Sequence, residues 1–293
     1  MKKLPLAKCL EKRYKKMEIA FKKVTQDFDE SAIHSFRREV KKIGSLLQLA
    51  NASRSQSSKS FILHILDSFY KRIGIMRSLQ LQTAKVKELD FIKYPMLPSV
   101  YLLFLQQSVG EVKESLVKTI AKRNPFETEK KKLFHKLPRT TGRKTVQKFV
   151  DERIVRMSRL YQMASFSDKS LHMIRKILKD ILVIASETKN FTGVLSDVSF
   201  GRKAIKSLTQ VLGKFHDQCV SLDLLHQHYK EQSINEGERE AWLHLYNDWW
   251  DEKERNRMKL ESIFQKIFPH LLASMPLLDK HDVALLSQWV ETD

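Results

Sequence analysis

The feature that most constrains the fold of this chain is a short pattern of basic and apolar residues that occurs twice. Ile33–Lys41 and Leu171–Lys179 share a histidine at the second position, an arginine three residues later and a lysine at the ninth. Ile73–Ser78 and Leu212–Asp217 match each other around a glycine. The histidines are 138 residues apart (34 to 172) and the glycines 139 (74 to 213). Two patterns with nearly one offset predict a duplicated unit, which restricts the possible architectures.

Each copy of the histidine pattern predicts an amphipathic helix, because residues about 100° apart around a helix sort into stripes. Apolar residues such as Ile33 and Phe36 form the back of the first helix, and basic residues form its front. The two fronts consist of His34, Arg37, Arg38 and Lys41 in the first copy and of His172, Arg175, Lys176 and Lys179 in the second. One such stripe is usually a solvated surface. Its recurrence with the histidine in the same place favours a binding face.

Glycine and proline are scarce, with 8 and 7 among 293 residues, and turns depend on both. Long helices are therefore expected. The periodicity predicts them over about 6–24, 29–50, 61–89, 100–121, 149–163, 168–188, 200–229 and 235–268. Each half of the duplication would be a bundle of about four helices. The predicted organisation is a first half at 1–126, a basic linker at 127–148, a second half at 149–270 and a C-terminal tail at 271–293.

The charge of the chain predicts an anionic partner. Lysine and arginine total 53 against 34 aspartate and glutamate, and self-repulsion makes a formal net charge of +19 unfavourable for a compact state. No apolar run reaches the roughly 18 residues of a membrane-spanning helix, and the charged amino terminus does not read as a secretory signal. Cys9 and Cys219 form no disulfide framework. A soluble cytoplasmic protein without membrane contact is expected.

These patterns resemble the CHAD domain (conserved histidine α-helical domain) family, in its stand-alone form. The family's hallmark is a helix with a histidine, an arginine three residues later and further bases one turn on, once in each of two bundles. The matching residues are His34, Arg37, Lys41 and Lys42 in the first copy and His172, Arg175, Lys176 and Lys179 in the second. The family's next helix carries a Leu-Gly-x-x-x-Asp pattern, which is matched by Gly74 with Arg77 and by Gly213 with His216 and Asp217.

The resemblance spans about residues 6–270 and implies an all-α fold. Its two helical bundles would be related by a pseudo-twofold, with the hallmark helices lining a basic central groove or pore. It also implies binding of inorganic polyphosphate, and with it an association with polyphosphate granules. The sequence departs from the family at four positions where bases or an aspartate are usual, namely Gly44, Ser78, Asp180 and Leu182. Some of the cationic density of the family is therefore missing.

Polyphosphate has no bases to read, so charge and hydrogen bonds must recognise it. Arginine offers planar bidentate donors, lysine a mobile point charge, and histidine a ring N–H even when neutral. Second-line candidates lie on the two helices that carry the glycines, and those glycines are predicted to permit close helix approach. The predicted polyphosphate-binding residues are His34, Arg37, Arg38, Lys41, Lys42, Arg72, Arg77, His172, Arg175, Lys176, Lys179, Lys203, Lys206 and His216.

Two other functions stay open at this point. Net charge alone would also suit a nucleic-acid-binding helical protein, although no helix-turn-helix, zinc-finger or aromatic RNA-binding pattern is present. A phosphate-cleaving or phosphate-transferring enzyme is less favoured, because the sequence has no acidic cluster for Mg²⁺ and no glycine-rich phosphate loop. His216-Asp217 by itself makes no metal site. We therefore predict no catalytic residue, metal or cofactor, and the oligomeric state stays open.

Overall fold

The computed structural model describes residues 4–52, 64–89, 93–94, 97–122, 138–163, 167–187, 202–231 and 236–273. These residues contain no strand, and the predicted all-α fold is confirmed. Its helices are α1 (Leu6–Asp27), α2 (Glu30–Ala52), α3 (His64–Lys87), α4 (Leu97–Lys122), α5 (Arg143–Met163), α6 (Asp168–Glu187), α7 (Arg202–Glu231) and α8 (Glu236–Ala273). Leu4 and Thr141 exchange two backbone hydrogen bonds, of 2.9 and 3.0 Å, in an isolated bridge.

Two helix boundaries differ from the predicted ones by five residues or more. Helix α5 begins at Arg143 and not at Phe149, because Val146, Phe149 and Val150 already bury one face at helical spacing. The basic residues on its outer face gave this stretch the composition of a linker. Helix α8 continues past Pro269 to Ala273, since a proline removes one backbone donor without necessarily ending a long helix. The amphipathic piece predicted in the tail lies outside the described residues.

The chain divides into two compact units. The first, here the Leu6 unit, consists of Leu6–Arg139 and Gln218–Glu252, and the second, the Thr140 unit, of Met1–Pro5, Thr140–Asp217 and Lys253–Asp293. Helices α7 and α8 therefore contribute residues to both units. Residues 123–137, which include the first half of the predicted linker, lie outside the described part of the chain. The division into halves along the sequence stays a prediction.

Aromatic packing fixes α1, α2 and α3 of the Leu6 unit. Phe21, Phe36 and Phe69 lie one on each of these helices, with ring centroids 5.2 to 5.9 Å apart. Edge and tilted ring contacts of this kind add to the free energy of apolar burial. A second buried cluster joins the later helices of this unit; it includes Leu79, Tyr101, Phe104, Leu225, Trp242 and Trp249. Trp242 and Trp249 are buried in this cluster, whereas Trp250 is exposed.

Both hallmark helices begin at a side-chain cap located five residues before the histidine. Asp29 accepts a 2.9 Å hydrogen bond from the Ala32 N–H at the start of α2, and Ser167 accepts a 3.2 Å bond from the Ser170 N–H at the start of α6. Such caps satisfy backbone donors that a helix leaves without internal partners. Hydrogen bonds, the largest from Ser31, lower the pKa of the Asp29 carboxyl. The cap places the histidine of each copy one turn into its helix.

The Thr140 unit buries one apolar stripe from each of its helices. On α6 the stripe holds Leu171, Ile174, Leu178 and Ile181, all nearly inaccessible to solvent. At the first residue of α6, Asp168 pairs with Lys253 (2.8 Å) and Arg257 (2.7 Å) of α8. An acid at a helix N-terminus also complements the helix dipole. These contacts fix the register of α8 against the hallmark helix.

Within the described ranges, no helix combines the length and the apolar character that crossing a bilayer would need. Cys9 and Cys219 are not joined in a disulfide.

One histidine of the Leu6 unit is buried in an apolar site. The ring of His228 lies 4.9 Å from that of Tyr101 and 5.0 Å from that of Phe104. Its two ring nitrogens find no hydrogen-bond partner among the described residues. Burial lowers the pKa of His228 below its usual value, and the charge of Glu238 opposes this only in part. His226, two residues earlier, lies on a different face of the helix and is exposed.

We expect the Leu6 unit to lose stability as the pH falls below about 6.5. The unfolded chain protonates its histidine there while the folded state, with its lower pKa, does not, so protons favour unfolding. Urea unfolding at pH 7.5 and 5.5 measures the loss. His228→Phe should reduce it and the exposed control His226→Gln should not. Equal losses in wild type and His228→Phe would contradict this assignment.

Candidate functional site

Helix α2 presents its basic stripe outward from the Leu6 unit. Ile33 and Phe36 are fully buried against the neighbouring helices, whereas His34, Arg38 and Lys41 are exposed. Alternation at helical spacing thus produces the apolar back and cationic front that the sequence predicts. These three side chains are available to a ligand in solution.

Arg37 lies at the edge of this stripe and reaches across to α3. Its Nη1 donates a 3.1 Å hydrogen bond to the Tyr70 carbonyl, and its guanidinium carbon lies 4.6 Å from the centroid of the Tyr70 ring. A Cβ built on Gly74 would lie 2.5 Å from Nη1 of Arg37. The space beside this glycine is therefore occupied by the guanidinium. Gly74 makes room for the hallmark arginine itself.

Two guanidinium groups approach each other at this edge. Burial lowers the pKa of Arg37, Tyr70 raises it, and the charge of Arg77 lowers it again. Arginine stays protonated at any physiological pH, so these effects measure how unfavourable the buried charge is. Arg77 on α3 pairs with Glu30, the first residue of α2. The charge of Arg77 is therefore offset by this carboxylate.

A buried carboxylate lies under the other edge of the stripe. Glu39 is almost inaccessible and pairs with Lys42 (2.9 Å), Arg13 of α1 (3.2 Å) and Arg38 (3.6 Å). Burial alone would raise the pKa of Glu39, but the hydrogen bonds and charges of Lys42 and Arg13 lower it overall. Lys42, predicted to bind phosphate, is mostly covered and engaged with Glu39. Helical periodicity places Glu39 on the apolar back, a position from which this cluster can be recognised in the sequence.

Arg72 lies on α3 but is directed to α4. Its Nη1 donates to the Thr119 hydroxyl (2.7 Å) and to the Ser115 carbonyl (3.3 Å). The structure therefore separates this second-line candidate from the stripe on α2. Its contacts join two helices of the same unit.

The Thr140 unit repeats the arginine–glycine contact with looser spacing. A Cβ on Gly213 of α7 would lie 3.7 Å from Nε and Nη2 of Arg175, an ordinary van der Waals distance. In both units the hallmark arginine thus extends over the glycine of a later helix. The predicted repeat explains why the same pair of residue types meets twice. The symmetry relation itself stays a prediction.

A histidine pair replaces the histidine and arginine of the first copy. His172 of α6 and His216 of α7 face each other with Nδ1 atoms 3.2 Å apart and ring centroids 4.4 Å apart. A hydrogen bond between these nitrogens needs one donor and one acceptor ring. The corresponding positions of the Leu6 unit hold His34 and Arg77. The position that carries a permanent charge in one copy is therefore titratable in the other.

The remaining predicted residues lie on the same two helices. Lys176 and Lys206 are exposed, and Lys179 is half-buried. The side chain of Lys203 lies outside the described part of the structure. Of the positions that depart from the family, the Ser78 hydroxyl bonds the Gly74 carbonyl (3.1 Å) and Asp180 pairs with Arg153 (3.9 Å). The described residues bring together no group of three histidine, cysteine, aspartate or glutamate side chains that could hold a metal ion.

The family model described as "CHAD domain" matches residues 8–226. The fold is similar to the crystal structure of the CHAD domain from the plant Ricinus communis, with a TM-score of 0.69, 14% identity, and coverage of 94% of this chain and 93% of that one. It is also similar to PptA from Streptomyces chartreusis, with a TM-score of 0.63, 13% identity, and coverage of 89% and 98%. A search of curated protein sequences found no match. Because the family model matches well over half of this chain, the chain belongs to the CHAD domain family.

Proposed function

We propose that this protein binds inorganic polyphosphate without catalysis, through the basic fronts of α2 and α6. The observation that carries the proposal is the placement of Arg37. Its guanidinium is half-buried beside Gly74, is held by the Tyr70 carbonyl, and lies near the charge of Arg77. A partly desolvated pair of cations is stabilised by an anion that enters between them.

Phosphate chemistry suits the groups at this edge. A guanidinium donates two parallel hydrogen bonds to phosphate oxygens, and such charge-assisted bonds are about twice as strong as neutral ones. Glu30 forms an ion pair with Arg77, and a phosphate group of the same charge can replace Glu30 there. His34, Arg38 and Lys41 extend the exposed cationic surface along α2. A polymer of phosphates can contact several of these groups at once.

The family relationship supports the same ligand. CHAD domains are known in general for polyphosphate binding, and both hallmark helices are present. A net charge of +19 also favours a polyanion. With this ligand we place the protein in the cytoplasm, at polyphosphate granules. We assign it no cofactor, no catalytic residue and no membrane contact.

Nucleic acid is the second candidate, since the same net charge attracts any phosphate backbone. The two ligands differ in what they offer to the protein. A duplex presents fixed phosphate spacing and grooves, whereas polyphosphate is a flexible chain that can follow guanidinium groups recessed between helices. The recessed position of Arg37 favours the flexible polymer.

Replacement of Arg37 and Arg175 by alanine should weaken polyphosphate binding at least tenfold, because each charge-assisted hydrogen bond contributes about 1.5–3 kcal/mol. Wild-type affinity should fall steeply between roughly 50 and 200 mM salt as counterion release becomes less favourable. Titration with long-chain polyphosphate at several salt concentrations measures both effects. The matched control is Arg159→Ala/Arg239→Ala, which removes one exposed arginine from each unit.

Three results would contradict polyphosphate binding, and a fourth would contradict the absence of catalysis. One is unchanged affinity in Arg37→Ala/Arg175→Ala, and another is a flat salt response. The third is displacement of polyphosphate by duplex DNA at equal phosphate concentration, which would favour the nucleic-acid alternative. Release of phosphate in the presence of Mg²⁺ or Mn²⁺ would show catalysis and overturn the non-catalytic assignment.

The two glycines should respond differently to alanine. Gly74→Ala places a methyl group 2.5 Å from Arg37 Nη1, so the guanidinium must move and polyphosphate affinity should fall severalfold. Gly213→Ala meets Arg175 only at 3.7 Å and should leave affinity unchanged. It should also raise the free energy of unfolding by about 0.5–1 kcal/mol, since alanine favours a helix interior. Titration and urea unfolding measure these changes.

Gly44→Ala is the matched control, because a Cβ at Gly44 of α2 meets nothing within 4 Å. It should stabilise the fold without changing affinity. Equal binding by Gly74→Ala and Gly44→Ala would contradict the role assigned to the Arg37 recess.

A further inference from the structure

The basic front of α2 does not end at the edge of that helix. The edge of the stripe away from Arg37 holds Arg38 and Lys42, and both contact the buried Glu39. Glu39 in turn accepts a 3.2 Å hydrogen bond from Arg13 of α1. Arg13 is itself largely covered. Cationic side chains therefore extend from α2 to α1, and the Glu39 carboxylate lies among them at the contact between the two helices.

The lysines of α1 are not distributed evenly around that helix. At about 100° per residue, Lys12, Lys16 and Lys23 project on one side of Arg13 and are exposed. We name these three residues the lysine edge of α1. Glu11 and Glu18 lie on the other side of the helix, on the flank of the buried Tyr14. Lys15, which pairs with Glu11, and Lys22 lie on the side of the helix that faces away from Arg13.

The lysine edge is also level with the basic stripe of α2 along the helix axes. Helices α1 and α2 pack together and are joined by only two residues, Phe28 and Asp29, so they run antiparallel. They meet at Arg13 and Glu39. Lys16 is therefore level with Arg38 and Lys12 with Lys41, within about one turn. The two rows of cations run side by side.

From this juxtaposition we infer that the lysine edge of α1 is a second row of phosphate contacts that selects long polyphosphate chains. The inference rests on the proposed function of the stripe on α2. A short chain is held at Arg37 and Arg77 and ends there. A long chain continues past His34 and Lys41, crosses the Glu39 cluster and lies against Lys12 and Lys16. Because Glu39 is buried and already paired with three cations, it opposes the passage of the polyanion only weakly.

The test compares two double variants of one helix. Lys12→Gln/Lys16→Gln removes charge from the lysine edge, and Lys15→Gln/Lys22→Gln removes the same charge from the side of α1 that faces away from Arg13, where Lys15 pairs with Glu11. All four lysines are exposed, so both variants should fold. The probes are inorganic triphosphate and polyphosphate of several hundred units. Dissociation constants are measured for each at a series of salt concentrations.

We expect Lys12→Gln/Lys16→Gln to weaken binding of the long chain about tenfold and to lower its salt slope by about 1.5, as two lost phosphate contacts predict. Triphosphate affinity should change less than about twofold. Lys15→Gln/Lys22→Gln should change neither. Equal effects of the two variants on the long chain, or equal effects of Lys12→Gln/Lys16→Gln on both probes, would overturn the inference. Wild-type protein that binds neither probe would instead refute the proposed function.

Discussion

The site depends on how a charged guanidinium is held in a half-buried position between two helices. Arg37 loses part of its hydration there, and its charge is made less favourable still by Arg77. Three features of α3 compensate: the Tyr70 carbonyl accepts a hydrogen bond, the Tyr70 ring lies against the guanidinium, and Gly74 leaves the space. The guanidinium is thereby oriented before any ligand arrives. Orientation in advance reduces the ordering that a flexible polyanion would otherwise impose on the protein.

The space between the hallmark arginine and the glycine differs between the two copies. In the Leu6 unit a Cβ on the glycine would collide with the arginine, whereas in the Thr140 unit it would only touch it. The first copy places Arg77 and Glu30 beside the arginine, and the second places the pair His172–His216 on the same two helices as Arg175. Permanent charge at one position has been replaced by a group whose charge depends on pH. The hallmark arginine therefore has chemically different neighbours in the two units.

The sequence predicts which residues form the basic and apolar faces of each helix. It does not predict which residues of other helices contact them. Helical periodicity correctly places His34, Arg38 and Lys41 on the exposed side of α2 and Ile33 and Phe36 on the buried side. It cannot place residues from other helices, because spacing within one helix contains no information about its neighbour. The contact of Arg37 with Tyr70 and that of Arg72 with Thr119 depend on tertiary packing. The early start of α5 was missed because its basic outer face resembles a linker in composition.

Glu39 shows how such a basic fold remains compact before it binds anything. With a net charge of +19, repulsion among cations on α1 and α2 opposes the packing of these helices. A single carboxylate buried at their contact lies within 3.6 Å of Lys42, Arg13 and Arg38; burial alone would raise its pKa, but Lys42 and Arg13 lower the pKa overall. An acid on the exposed side of the stripe would offset the same repulsion but would also repel a polyanion. Burial separates the two effects: the carboxylate stabilises the helix pair from beneath, and Arg38 remains exposed on the side where we propose that polyphosphate binds.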